Sequence, residues 1–220
     1  MRPPTARRPR PVGRAVSAAA AALTLVLTGC SSGADEPAAP EAAPTPIANL
    51  NSGAMQIPRI DFCRRIGSSA VEEALGGEPN HADSYGNGDE APVLESGASD
   101  VMQELGCEWR TDDGRVARAW VFARPVTKDF ATRIVRGANG GKSCERAARP
   151  TFGTPSYAQT CAVPNDVQRV RRAGLFGQTW LTCELTAPGA DDAAAGDTTD
   201  LAERTNAWCV EVANALNTAR

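Results

Sequence analysis

The sequence predicts an α+β fold, in which an antiparallel sheet built from two hairpins carries helices packed on it and is stapled by three disulfides. Apolar and polar residues alternate in residues 106–123 and again in residues 167–186, and turn-forming residues interrupt each stretch. A segment with helical periodicity follows each of these stretches. Six cysteines lie in the same region of the chain. Together these features indicate strands and helices sharing one core.

The first 29 residues are typical of a bacterial export signal. Five arginines and no acidic residue precede an apolar run at residues 15–27. This run is too short to cross a membrane, which takes about 20 apolar residues. The sequence Leu27-Thr28-Gly29-Cys30 resembles a lipobox, which implies transfer of a diacylglycerol to Cys30 and cleavage before it. We therefore expect a lipoprotein, bearing palmitate-type chains and anchored on the outer face of the cell membrane.

Composition divides the remaining chain into two parts. Residues 30–56 are rich in proline and alanine and predict a disordered tether behind the lipidated cysteine. Residues 57–220 are long enough for a single extracytoplasmic domain. Removal of the signal takes away five of the 23 basic residues and none of the 26 acidic ones, so the formal net charge falls from −3 to −8. Such acidity disfavours nucleic acid as a partner.

The helices are predicted from periodicity and capping residues. Residues 61–66 predict a helical turn, and a helix capped by Ser69 is expected to end at Gly76-Gly77. A second helix is expected from about Thr127. The last begins near Asp200. The residues expected to face inward are Phe130, Ile134 and Val135 in the second helix and Leu201, Trp208, Val212 and Leu216 in the last.

Two further regions are predicted to be loops. Residues 78–104 contain seven acidic residues and no lysine or arginine. Their centre, residues 83–90, is similar to a calcium loop but lacks oxygen ligands at two required positions, so we expect no metal there. Residues 143–164 form the second predicted loop and hold two of the cysteines.

Apart from Cys30, six cysteines remain, and this even number predicts disulfides in an exported chain. Six cysteines allow many pairings, and spacing alone does not choose among them. We favour pairs of neighbours along the chain, because each such pair ties a loop or helix to a strand. A zinc site is not expected, since the chain has no CxxC pair and one histidine. The favoured pairs are Cys63 with Cys107, Cys144 with Cys161, and Cys183 with Cys209.

Two pieces of the sequence, the first within residues 63–76 and the second at residues 106–109, resemble an uncharacterised actinobacterial lipoprotein family. Its members open the domain with Asp-Pro-Cys, end the first helix in Ala-Leu-Gly and continue into a Cys-x-Trp strand. Here the matching segments are residues 63–66, residues 74–76 and residues 106–109, whereas Phe62 stands in place of the proline. The resemblance covers roughly a third of the domain. It implies a cell-surface lipoprotein of unknown activity and supports the pairing of Cys63 with Cys107.

The residues that are absent disfavour several enzyme classes. The one histidine, His81, lies in the acidic loop, so a serine or cysteine nucleophile lacks an evident base. Phosphate-binding glycine loops and zinc-protease motifs are also absent. We therefore predict no catalytic residue, no cofactor and no metal. One catalytic alternative stays open, namely a cell-envelope glycan hydrolase that uses paired carboxylates.

The positive candidate is an aromatic and basic strand face. Trp120 and Trp180 are expected on one face of the sheet, together with Arg118, Arg169 and Arg171. If this face is open, it suits an anionic glycan or lipid head group. If a helix covers the rings, they belong to the core. The prediction is a non-catalytic module that binds an envelope protein, glycan or lipid, and a passive structural lipoprotein is the remaining alternative. Trp109 and Trp208 are assigned to the core.

Overall fold

The computed structural model describes residues 45–92, 99–138, 143–147, 152–189 and 198–219. Within these residues the chain forms an antiparallel sheet of seven strands and a separate strand pair. The strands are β1 (His81–Tyr85), β2 (Glu90–Pro92), β3 (Ser99–Val101), β4 (Glu104–Arg110), β5 (Val116–Phe122), β6 (Cys144–Arg146), β7 (Ser156–Val163), β8 (Val167–Phe176) and β9 (Thr179–Pro188). The sheet order is β1-β4-β5-β9-β8-β7-β6, and β2 pairs with β3.

The described helices lie on both faces of this sheet. They are α1 (Ser68–Leu75), α2 (Lys128–Ala138) and α3 (Thr198–Leu216). The larger core lies between the sheet and the pair α1 and α3, and it contains Trp109 and Trp208 in edge-to-face contact at 5.5 Å, as predicted. A smaller apolar cluster lies under α2 on the opposite face. The α+β architecture is therefore as expected.

The sheet contains more strands than the sequence predicts. Both expected loops contain strands: β1, β2 and β3 lie in residues 78–104, and β6 and β7 in residues 143–164. The side chains of β1 are mostly exposed, so its sequence shows no apolar alternation. Its pairing with β4 depends on backbone hydrogen bonds, which polar residues at a sheet edge tolerate. The prediction of loops, made from composition, was therefore wrong for these strands.

Helix α1 begins and ends through its backbone. Its N-cap is Gly67, which makes no side-chain capping bond, so the predicted cap at Ser69 is wrong. At the other end Gly76 adopts φ +67°, a conformation that glycine favours. The N–H of Gly76 donates to Glu73 O and that of Gly77 to Glu72 O, which satisfies the last carbonyls.

The inward face of α2 differs from the prediction at Phe130, whereas Ile134 and Val135 pack against the smaller apolar cluster as predicted and the face of α3 agrees with the prediction. In α2, Ala131 is fully buried and Phe130 is 42% exposed, with the Arg133 guanidinium 5.3 Å from the Phe130 ring. The expected buried position of Phe130 is therefore wrong. The α3 side chains predicted to face inward are all buried: Leu201, Trp208, Val212 and Leu216.

None of the described helices has the length and apolar character needed to cross a membrane.

Two of the predicted disulfides are present and the third is not. Bonds join Cys63 to Cys107 and Cys144 to Cys161. Cys183 on β9 and Cys209 on α3 are free thiols, fully buried in the larger core and close enough to share a hydrogen bond. Burial raises the pKa of the Cys183 thiol well above its usual value. The predicted neighbours therefore do lie together, but they are unbonded thiols that pack in the core as small apolar groups, and the expectation of a third bridge is corrected to that extent.

The packed region begins before residue 57, the predicted start of the domain. Met55 is 8% exposed and belongs to the larger core, and Ile47 and Leu50 pack against it. The Gln56 N–H donates to Asn217 Oδ1 at 3.0 Å, and the Gln56 carbonyl accepts from the Thr218 N–H. The last part of the predicted tether is therefore folded onto the domain. The predicted signal peptide and Cys30 lie outside the described residues.

Candidate binding site on the polar face of the sheet

Helix α2 covers one end of its sheet face. Trp180 is 1% exposed there, with Tyr157 at 6.1 Å and Phe122 at 6.5 Å between ring centroids. Val126 and Ala131 complete this apolar cluster. Trp180 is therefore a core residue, and the prediction that it forms part of an open aromatic patch is wrong.

Trp120 lies on the same face but in polar surroundings. It is 8% exposed, and the guanidinium groups of Arg118 and Arg171 each lie 5.3 Å from its ring centroid. Both distances are within the range of cation–π attraction. The ring is thus buried in part by arginine side chains, which are themselves 15% and 24% exposed. In this part of the face the groups exposed to solvent are charged side chains.

Beside Trp120 an alternating row of charges crosses four strands, which we call the central charged row: Glu108, Arg118, Glu184 and Arg171. These residues are direct partners in the strand register, so each side chain has an opposite charge beside it. Arg118 Nε lies 3.0 Å from Glu108 Oε2. Arg171 directs Nε and Nη2 to Glu184 Oε2 at 2.6 and 2.5 Å. The row thus contains two ion pairs, Glu108 with Arg118 and Glu184 with Arg171, on neighbouring strand pairs.

Glu184 is the most deeply buried member of this row. It is 1% exposed, and the Nε of Arg169 lies 3.7 Å from its Oε2. Burial lowers the pKa of Arg169. Burial also acts to lower the pKa of Arg171, but Glu184 and Tyr157 outweigh it and the pKa is raised. Two cationic side chains therefore contact one carboxylate at this end of the face.

Tyr85 lies on β1, next to the β4 end of the central charged row. The Tyr85 hydroxyl donates to Glu104 Oε1 at 3.2 Å, and its ring lies over Gly106. A side chain at Gly106 would overlap the ring, so glycine is required for this contact. Burial raises the pKa of Tyr85 and of Glu104.

Two cavities open on this face. The turn-end cavity, of about 270 Å³, lies where β5, β7, β8 and β9 meet their turns, and Arg169 and Glu184 form part of its wall. The β1-side cavity, of about 250 Å³, gathers the carboxylates of Asp83, Asp89 and Glu108. Within the part of the chain that the structure describes, no group of three His, Cys, Asp or Glu side chains is placed to hold a metal ion.

The structure brings four of the five predicted binding residues together and adds two acidic ones. Arg118, Arg169, Arg171 and Trp120 share the face, whereas Trp180 lies under α2. Sequence reasoning missed Glu108 and Glu184. The signal was present in the hairpin register, because Glu108 lies opposite Arg118 across one turn and Glu184 opposite Arg171 across the other.

No protein-family model matches the chain, and no curated protein sequence matches it.

Proposed function

We propose that this protein is a lipoprotein attached through Cys30 to the extracytoplasmic face of the cell membrane, and that its domain is a non-catalytic module for an envelope ligand. The ligand is an envelope protein, glycan or lipid that contacts the sheet face around the central charged row. The export signal and the cysteine that follows it support the location, as does the resemblance to actinobacterial lipoproteins. The buried ion pairs beside Trp120 support the binding role.

Burial of the charged groups beside Trp120 supports a binding role on energetic grounds. Removing charged groups from water costs free energy, and apolar residues of similar size often stabilise a protein as well or better. The central charged row nevertheless occupies a sheet face whose other end, under α2, is apolar. A ligand that contacts these charged groups would explain why this end of the face is charged while the end under α2 is apolar. Guanidinium groups suit carboxylates and phosphates, and an indole ring suits the face of a sugar.

A glycan hydrolase is the second candidate, and the β1-side cavity favours it. Glycosidases use two carboxyl groups about 5–10 Å apart, one of which must hold a proton. This cavity contains several carboxylates, but Arg110 and Arg118 hold Glu108 in ion pairs. Release of reducing ends from chitin oligosaccharides by the wild-type chain, lost in Glu108→Gln and Asp83→Asn, would favour the hydrolase over the binding module.

The anchor is tested by the intact mass of the chain extracted from membranes. We expect a mature N-terminus at Cys30 that carries a diacylglycerol, whose two acyl chains suffice for stable anchoring. An unacylated protein, or one that retains residues 1–29, would contradict the proposed attachment.

The binding role is tested by tryptophan fluorescence of the full-length chain. The probes are trigalacturonate, neutral chitotriose, and vesicles of phosphatidylglycerol or phosphatidylcholine. We expect a saturable change with an anionic probe and at least tenfold weaker binding by Arg118→Gln, because Arg118 contacts Trp120. Exposed Arg65, replaced in Arg65→Gln, provides the matched control and should bind normally. No response to any probe, or equal binding by Arg118→Gln, would count against this face.

A further inference from the structure

The turn-end cavity has the size and shape of a site for a small molecule. Its wall combines strand residues of the polar face with the turn at residues 164–165 and Gly114. The volume of about 270 Å³ is near the lower limit for small-molecule sites, about 300 Å³. A ligand the size of an amino acid or a single sugar unit fits this volume. The apolar part of the wall is formed by Val116, Val163, Val167 and Pro164.

Glu184 lines the cavity, and one of its carboxylate oxygens lacks a donor. Both contacts that Arg171 makes with Glu184 go to Oε2, and in the described residues Oε1 accepts no hydrogen bond. Glu184 is 1% exposed, so this oxygen is also removed from bulk water. A buried acceptor without a donor costs about 1–3 kcal/mol. An N–H or O–H group of a ligand would therefore be stabilised if a small shift of the Glu184 side chain turns this oxygen toward the cavity.

The cationic wall at this end of the face favours an anionic group on the same ligand. Arg169 lines the cavity and its side chain is 16% exposed, whereas Arg171 is held by Glu184 next to Trp120. A guanidinium group presents several N–H donors, so it can contact a ligand while it keeps its contacts within the protein. Such a group in a partly buried wall binds a carboxylate more strongly than one in water does.

We propose that the turn-end cavity binds a small carboxylate that also carries an amino or hydroxyl donor. The ligand's carboxylate contacts Arg169, its donor contacts Glu184 Oε1, and its short apolar part packs against the valines. Free amino acids and uronate sugars both have this chemistry. The inference rests on the proposed binding function and names the ligand class for one end of the same face.

The proposal is tested by isothermal titration calorimetry on the full-length chain with four probes. D-alanine and D-glucuronate carry both groups, propionate carries the carboxylate alone, and D-alaninamide carries the donor alone. We expect D-alanine or D-glucuronate to bind at least tenfold more tightly than propionate and D-alaninamide. The tighter of the two identifies the source as amino acid or uronate. Equal affinity for propionate, or no saturation by any probe up to about 10 mM, would overturn the proposal.

Variants locate the binding in the cavity. Arg169→Gln should weaken binding at least tenfold. Val163→Phe places a larger side chain in the cavity from the end of β7 and should abolish binding. Its urea denaturation should remain cooperative, which shows that the site is lost and the fold is not. Arg65→Gln should bind as the wild type does. Binding that survives Val163→Phe would overturn the proposal. If the small probes fail while Arg118-dependent binding of trigalacturonate persists, this inference fails and the proposed function stands.

Discussion

Glu184 determines whether the charges of the β8–β9 strand pair are compensated. Its replacement in Glu184→Ala leaves Arg169 and Arg171 close together without the carboxylate that both contact. We expect a loss of about 3–5 kcal/mol in the free energy of unfolding, measured by urea denaturation. Glu73→Gln, on the exposed surface of α1, is the control and should change stability by less than about 0.5 kcal/mol. A loss below about 1 kcal/mol for Glu184→Ala would show that the ion pairs are not buried in solution.

Gly106 allows the Tyr85 ring to lie across β4. In Gly106→Ala the added methyl group overlaps that ring, so Tyr85 must move and its hydrogen bond to Glu104 is lost. We expect a destabilisation of about 1–3 kcal/mol by urea denaturation. Gly77→Ala is the matched control, because nothing lies within 4 Å of a Cβ placed there. Similar stability of the two variants would contradict the placement of Tyr85.

Glu104 makes stability depend on pH. Burial raises its pKa in the folded protein above the usual 4.5, so the folded state binds its proton more tightly than the unfolded state. Ionisation of Glu104 therefore destabilises the fold as pH rises from 4.5 through the raised pKa. Glu104→Gln should be more stable than the wild type at pH 7, and the difference should vanish near pH 4. Urea midpoints across this range test the sign, and a constant difference at all pH values would contradict it.

At the scale of elements, the two disulfides hold different lengths of chain. The bond between Cys63 and Cys107 closes 44 residues and ties the 3₁₀ turn Cys63–Arg65 to β4. The bond between Cys144 and Cys161 closes 17 residues across β6 and β7. In the chain-entropy account, loss of the longer loop costs about 1 kcal/mol more. Urea denaturation of the two paired Cys→Ala variants tests this order, and a larger loss from the shorter loop would contradict it.

The elements that could be predicted from the sequence are those in which apolar side chains mark the buried positions. Helix α3 was predictable because its apolar stripe points into the core. β4 and β9 were predictable for the same reason. β1 was missed because only its backbone is used in pairing, and its side chains are mostly exposed. Phe130 was misplaced because helical spacing does not say which of two adjacent apolar residues faces the sheet.

The candidate site was partly predictable for a related reason. Strand parity placed Arg118, Arg169 and Arg171 on one face, which the register confirms. Parity did not show that α2 covers Trp180 and leaves Trp120 to the arginines, because that depends on where a distant helix packs. Nor did it show that Glu184 is buried. Tertiary packing, rather than local pattern, decided which residues remain part of the site.

At the scale of the whole molecule, the two sheet faces differ in composition. One face is covered by α1 and α3 and holds the larger apolar core, which contains most of the buried apolar residues of the two clusters. The other is apolar beneath α2 and carries the central charged row beside it. Substitutions at solvent-exposed groups of the charged face leave the main core intact, whereas loss of buried Glu184 destabilises the fold as well.

The extent of the folded unit gives the last prediction. A chain that begins at Thr45 keeps Met55 and the bonds of Gln56 to Asn217 and Thr218, whereas a chain that begins at Ile57 loses them. Burial of a methionine contributes about 1.5–3 kcal/mol and each hydrogen bond about 1 kcal/mol. We expect the shorter chain to be less stable by about 3–5 kcal/mol in urea denaturation. Equal stability would restore the boundary predicted from composition, because residues 45–56 would then behave as a tether and not as part of the fold.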